Sequence, residues 1–188
     1  MSELPEPMRV AFDSHDAFTR TDEMDGANET DDSNADEGGY RLETTVFETV
    51  VTADPAEGKR DGEITVAMTL PTLDAASEDH VAPIVEEGWF DTFERRLEDV
   101  FTVAETGTYE PPSVDYDAEA GDVRVTLEYV AWDARTGVED AKVLIEYVEG
   151  TYAQGLIPGY TYRGPAETLL ATAQQAGTDA AAGNEPSL

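Results

Sequence analysis

Hydrophobic positions along this chain fall into two rhythms, one of period two and one of period three to four. The longest helical rhythm covers residues 83–103, where Val85, Trp89, Phe93, Leu97 and Val100/Phe101 recur every three to four positions. Side chains four apart stack above one another on a helix, so these form one apolar face. Glu87, Asp91, Glu94, Arg95, Glu98 and Asp99 take the opposite face. Strand-like runs lie on both sides of this helix, which makes it the expected central core element. Gly88 costs a helix interior about 1 kcal/mol relative to Ala. It is read as a break, with the long helix proper starting at Trp89.

The remaining pattern is read in chain order. Residues 5–20 predict a first helix, with Met8, Ala11/Phe12, His15 and Phe18 at helical spacing and Pro5 and Pro7 confined to its first turn. Residues 21–39 hold one sizeable hydrophobic side chain, Met24, and are expected to be a disordered acidic loop. Residues 40–53 are β-branched and extended, and a change of phase from Leu42/Thr44/Val46 to Phe47/Val51 predicts a bulge or a strand covered on both faces. The cleanest alternation is at 63–70: Ile64, Val66, Met68 and Leu70 point one way, Glu63, Thr65, Ala67 and Thr69 the other. These two runs predict an antiparallel hairpin, and residues 113–117 and 122–132 predict a second one. Thr136 and Glu139 have the spacing of a capping box. The helix after them has Val138, Ala141, Ile145, Val148 and Tyr152 on one face and ends near Gly155. A short last helix opens at Gly164-Pro165 and is stopped by Gly177, leaving 178–188 as a disordered tail.

Helix–hairpin–helix–hairpin–helix predicts an α+β fold: one antiparallel sheet from two β-hairpins with helices packed on one face. The N-terminal helix (1–20) and the core (40–177) form a single domain.

Charge changes the picture most. There are 42 acidic residues against 11 basic ones, a net of −31, and only Lys59 and Lys142 are lysines. The acids are spread over helix faces, loops and termini. That scatter fits a cytoplasmic protein working in molar salt, where the Debye length shrinks to about 3 Å and self-repulsion is screened. No basic stripe is present to replace counterions, so direct nucleic-acid binding is not expected. No apolar run reaches the ~20 residues that span a bilayer, so no membrane role is expected. The absence of cysteine excludes disulfides, thiolate catalysis and Cys-ligated metal.

Candidate chemistry is sparse. Asp32, Asn34, Asp36 and Glu43 approach the spacing of a calcium loop, but Glu37 stands where the turn needs glycine and no helix follows. No serine sits in G-x-S-x-G, no glycine-rich phosphate loop is present, and His15 and His80 are the two histidines. No catalytic residue and no cofactor is therefore expected. Residues 147–163 hold Tyr147, Tyr152, Tyr160 and Tyr162 beside Leu156-Ile157 and Arg163. Either these tyrosines fold back over the core or, with Trp89 and Trp132, they form a contact surface.

The stretches Tyr40-Arg41-Leu42, L-P-T-L-D from Leu70, V-E-E-G-W from Val85 and L-E-D-V-F from Leu97 resemble a haloarchaeal family known only as a domain of unknown function. The resemblance covers about residues 5 to 165. It implies salt adaptation and a length-variable insertion at 21–39, and brings no activity with it. The order of elements is also similar to that of type III secretion chaperones, in topology alone. Three functions follow as expectations. The first is a non-enzymatic interaction module for a protein partner or a homodimer. The second is a small hydrolase or metal-assisted enzyme using carboxylates in an aromatic-lined pocket. The third is an acidic nucleic-acid mimic.

Overall fold

The computed structural model describes residues 4–21 and 39–182. The acidic loop with Asp32, Asn34 and Asp36, and the end of the tail, lie outside the described residues. The fold is α+β, as expected, but its sheet has six strands rather than four. All neighbours are antiparallel, in the order β1-β2-β3-β4-β6-β5. At its centre β4 (Gly62–Pro71) pairs along its whole length with β6 (Asp122–Ala131). Ile64 lies opposite Tyr129, Val66 opposite Leu127, Met68 opposite Val125 and Leu70 opposite Val123, and all eight are buried on one face. This is the period-two pattern read from the sequence. The other face, with Glu63 and Ala67 exposed between half-buried Thr65 and Thr69, opens to solvent.

On the outer side of β4 lies β3 (Glu48–Asp54), then β2 (Tyr40–Leu42) and β1 (Phe18–Arg20). Beyond β6 lies β5 (Ser113–Asp117). On the β1 side of the sheet two elements differ from their sequence reading. The first helix, α1 (Glu6–Asp13), stops well short of residue 20. The chain reverses through residues 14–17, and Phe18 enters a strand that brings its ring edge-on to Phe12 at 5.2 Å. Aromatic rings spaced by six thus meet across a turn rather than along a helix. The phase change at 40–53 is neither a bulge nor a doubly covered strand. A turn separates β2 from β3, which then pair antiparallel with Tyr40 opposite Val51.

The buried face is covered chiefly by α4 (Ala134–Gly155). It approaches so closely that a Cβ on Gly137 would lie 2.5 Å from the Ala131 Cβ and 3.0 Å from the Ile64 Cδ1. The expected Thr136/Glu139 capping box does not form. The helix starts three residues earlier, with Asp133 as its cap: Asp133 Oδ1 accepts from the Thr136 N–H (2.9 Å) and Asp61 Oδ2 from the Ala134 N–H (2.7 Å). Packed against α4 are α1 on one side and α3 (Pro83–Leu97) on the other. Gly88 does not break α3, which runs on into a 3-10 turn at Val100–Val103. A single turn of helix, α2 (Leu73–Ala76), precedes it, and α5 (Pro165–Ala182) continues through Gly177 rather than stopping there.

Candidate interaction site

The side of α3 that meets α4 carries two parallel rows. Trp89, Phe93 and Leu97 are buried, with Val85 half-buried at their N-terminal end. One position earlier in each turn come Ile84, Gly88, Thr92 and Arg96, all exposed. A spacing of four keeps each row on one line along the helix. Between the second row and the last two turns of α4 lies a groove of about 370 Å³, walled on the far side by Thr151, Gln154, Gly155 and Ile157. Ile84 leaves 74% of its surface open at the groove's end. The groove is open at Gly88, where an added Cβ would meet nothing within 4 Å.

None of the residues lining this groove is acidic, and Arg96 is its one charged group. In a chain with 42 carboxylates that is a marked local exception. Its origin is partly local sequence: residues 150–166 form the longest stretch of the chain without Asp or Glu. The wall of the groove also holds an unmet donor. Trp89 is 95% buried, and its Nε1 has no acceptor among the described residues. A Cβ on Gly155 would sit 3.0 Å from that nitrogen, so the last turn of α4 covers it. A buried N–H left unpaired costs about 1–3 kcal/mol.

A second cleft, of about 630 Å³, lies between α1 and the start of α4 and is bordered by His15, Asp16, Asp133, Arg135 and Glu139. Here both ring nitrogens of His15 are occupied. Nδ1 accepts from the Ala17 N–H at 3.2 Å, so the ring proton sits on Nε2, which donates to Glu139 Oε1 at 3.2 Å. A general base needs a free ring nitrogen, and this one has none. The pair fastens the turn after α1 to α4. Asp133 is held below the usual carboxylate range, chiefly by the Thr136 N–H it caps.

The sequence-predicted residues are dispersed. Tyr152 is fully buried, edge-on to Trp89 at 5.8 Å and to Phe47 at 4.9 Å, and its hydroxyl donates to the Pro71 carbonyl at 3.0 Å. Tyr162 is buried and fastens the loop after α4, donating to the Ile157 carbonyl and accepting from the Ile157 N–H. Tyr160 is half-buried with its ring edge-on to Tyr162. Arg163 Nε donates to the Ala75 carbonyl at 3.1 Å. Trp132 is exposed, under the Arg60 guanidinium at 4.8 Å from the ring centre. Of the calcium pattern only Glu43 is described, and it accepts from the Thr19 hydroxyl. Among the described residues no group of three or more His, Cys, Asp or Glu is placed to hold a metal ion, and no helix is long and apolar enough to cross a membrane.

Two buried carboxylates escaped the sequence reading. Asp140, on α4, accepts from the Glu105 and Thr106 N–H groups at 2.7 and 3.0 Å. Glu86 turns inward at the start of α3 and accepts from the Asp74 N–H at 3.0 Å and the Tyr116 hydroxyl at 3.1 Å. Burial pushes its carboxyl above the usual range, against the pull of those donors. Both tie a loop or turn to a helix and serve the fold.

No curated protein and no solved structure matches the chain. A family model does match, over residues 13–172, from the last residue of α1 into α5. By that match the chain belongs to a family of unknown function, DUF5813.

Proposed function

We propose that this protein is a non-enzymatic protein-interaction module and that its partner docks in the α3/α4 groove. One observation carries the reading: a groove without an acid, open at Gly88, on a chain whose net charge is −31. An apolar partner segment meets no carboxylate there to desolvate. Exposed Ile84 and half-buried Val85 and Ile157 supply the apolar contact. The enzyme reading draws less support. The larger cleft has acids but no aromatic wall, and its histidine is engaged on both nitrogens. On this reading the module works in the cytosol of a salt-adapted, haloarchaeal organism. Scattered acids and a near absence of lysine favour that setting.

The test is a displayed random-peptide library panned in ~1 M KCl against the wild type and Gly88→Leu. The open space at Gly88 lets the variant fold, and far-UV circular dichroism checks that it does. Peptides retained by the wild type and lost by the variant are expected. A library that yields no binder, or binders indifferent to residue 88, refutes the reading.

A further inference from the structure

The groove is selective in charge as well as shape, and the two together describe its occupant. We infer that the α3/α4 groove takes an apolar peptide segment bearing a carboxylate, with the carboxylate seated at Arg96; this rests on the docking reading above. Arg96 is exposed, lines the groove and makes no ion pair among the described residues. Its neighbours along the groove are uncharged: Gly88 and Thr92 on α3, Thr151 and Gln154 on α4. Thr92 and Thr151 already donate their hydroxyls within their own helices, at 2.9 Å to Gly88 and 2.8 Å to Tyr147 carbonyls. The guanidinium is thus the groove's strongest uncommitted donor, and its fork matches a carboxylate.

Long-range and local charge oppose each other here. The field of a −31 chain repels any anion at low ionic strength. Raising salt from ~0.1 to ~1 M shortens the Debye length from about 10 to about 3 Å. That removes the repulsion from distant acids and weakens the contact at Arg96, where the two groups touch, by less. Binding of an anionic segment therefore tightens with salt, the reverse of the usual behaviour of charged ligands.

The experiment uses the full chain with Trp132→Phe, so that Trp89 alone reports on the groove by its fluorescence. The probes are leucine-rich hexapeptides, each synthesised with a free C-terminal carboxylate and as the C-terminal amide. The acid form should bind roughly three- to tenfold more tightly than the amide in ~1 M KCl, the range of an exposed to a partly desolvated charge-assisted hydrogen bond. Its affinity should rise from ~0.1 to ~1 M KCl. Arg96→Gln should bring acid and amide to equality, and Gly88→Leu should abolish both. Peptides that depend on Gly88 but bind equally as acid and amide overturn the carboxylate inference and leave docking intact. Binding untouched by Gly88→Leu overturns docking itself. A dimer, seen by light scattering in ~1 M KCl and dispersed by Gly88→Leu, identifies a second copy as the occupant and overturns the inference as well.

Discussion

Gly137 and Gly88 are both interior helix residues, and the same substitution should act on them in opposite directions. A Cβ at Gly137 would meet the Ala131 Cβ at 2.5 Å, about 1.3 Å inside the ~3.8 Å at which two carbons rest. The Ala131 methyl is fixed to the backbone of β6 and cannot rotate away, so α4 itself must lift. Lifting also loosens the 2.6 Å hydrogen bond that the Tyr129 hydroxyl donates to the Gly137 carbonyl. Overpacking of this kind costs up to about 3 kcal/mol, and the better helix propensity of Ala returns about 1 kcal/mol. Gly137→Ala should therefore lose about 2 kcal/mol, or about 4–8 °C in melting temperature for a chain of this size. Gly88→Ala meets nothing and should gain roughly 0.5–1 kcal/mol from propensity alone. Urea unfolding in ~1 M KCl, followed by far-UV circular dichroism, measures both with the slope m as a check on the unfolded state. A Gly137→Ala protein as stable as the wild type would mean that α4 does not need this close approach.

Asp140→Ala should cost about 3 kcal/mol, because the Glu105 and Thr106 N–H groups lose a buried, charged acceptor, and amide exchange should speed up at both; unchanged exchange there sinks the assignment. For Glu86 the sign follows from proton binding. Burial raises its pKa above that of the unfolded chain, so between the two values the folded state holds more protons, and stability falls as pH rises through that window. Glu86→Gln removes this term. The stability of the variant relative to wild type should climb from acid to neutral pH, and a flat difference counts against the burial argument. Asp61→Ala should destabilise by about 1 kcal/mol through loss of its contact to the first turn of α4, and an equal loss from Asp61→Asn would show that the contact acts by charge rather than by hydrogen bonding.

Much of the sheet's centre was legible because β4 and β6 alternate strictly, and strict alternation has one physical reading: a strand with one face covered. Residues 63–70 and their partners needed no tertiary information. Residues 5–20 misled, since Phe12, His15 and Phe18 satisfy a helical spacing while the last of them packs back across a turn. Period alone cannot tell contact along a helix from contact across a reversal. The Thr136/Glu139 pair misled similarly, because Asp133 and Asp61 reach the same end of α4 first, and Asp61 is distant in sequence. The groove was half legible. Trp89 and the region after Tyr147 stood out as aromatic, but the informative signal was the row Ile84, Gly88, Thr92, Arg96 beside the buried row, together with the missing acids at 150–166. Against 42 carboxylates, absence of charge marks the surface more sharply than its presence does.

The pairing of β4 with β6 has a kinetic consequence for the groove. The two strands bracket residues 72–121, so α2, α3 and β5 all lie inside one crossover. Closing that loop is the non-local step of folding, and its entropy is lost before α3 has α4 to rest on. Because α3 packs on α4, on α2 and on Tyr116 of β5 but not along β4 or β6, its detachment would leave the ten-residue β4/β6 register in place. Local openings of this kind have their own, lower free energy than global unfolding. A ligand that spans α3 and α4 therefore acts as a clasp on the crossover, opposing the detachment of α3 without touching a strand.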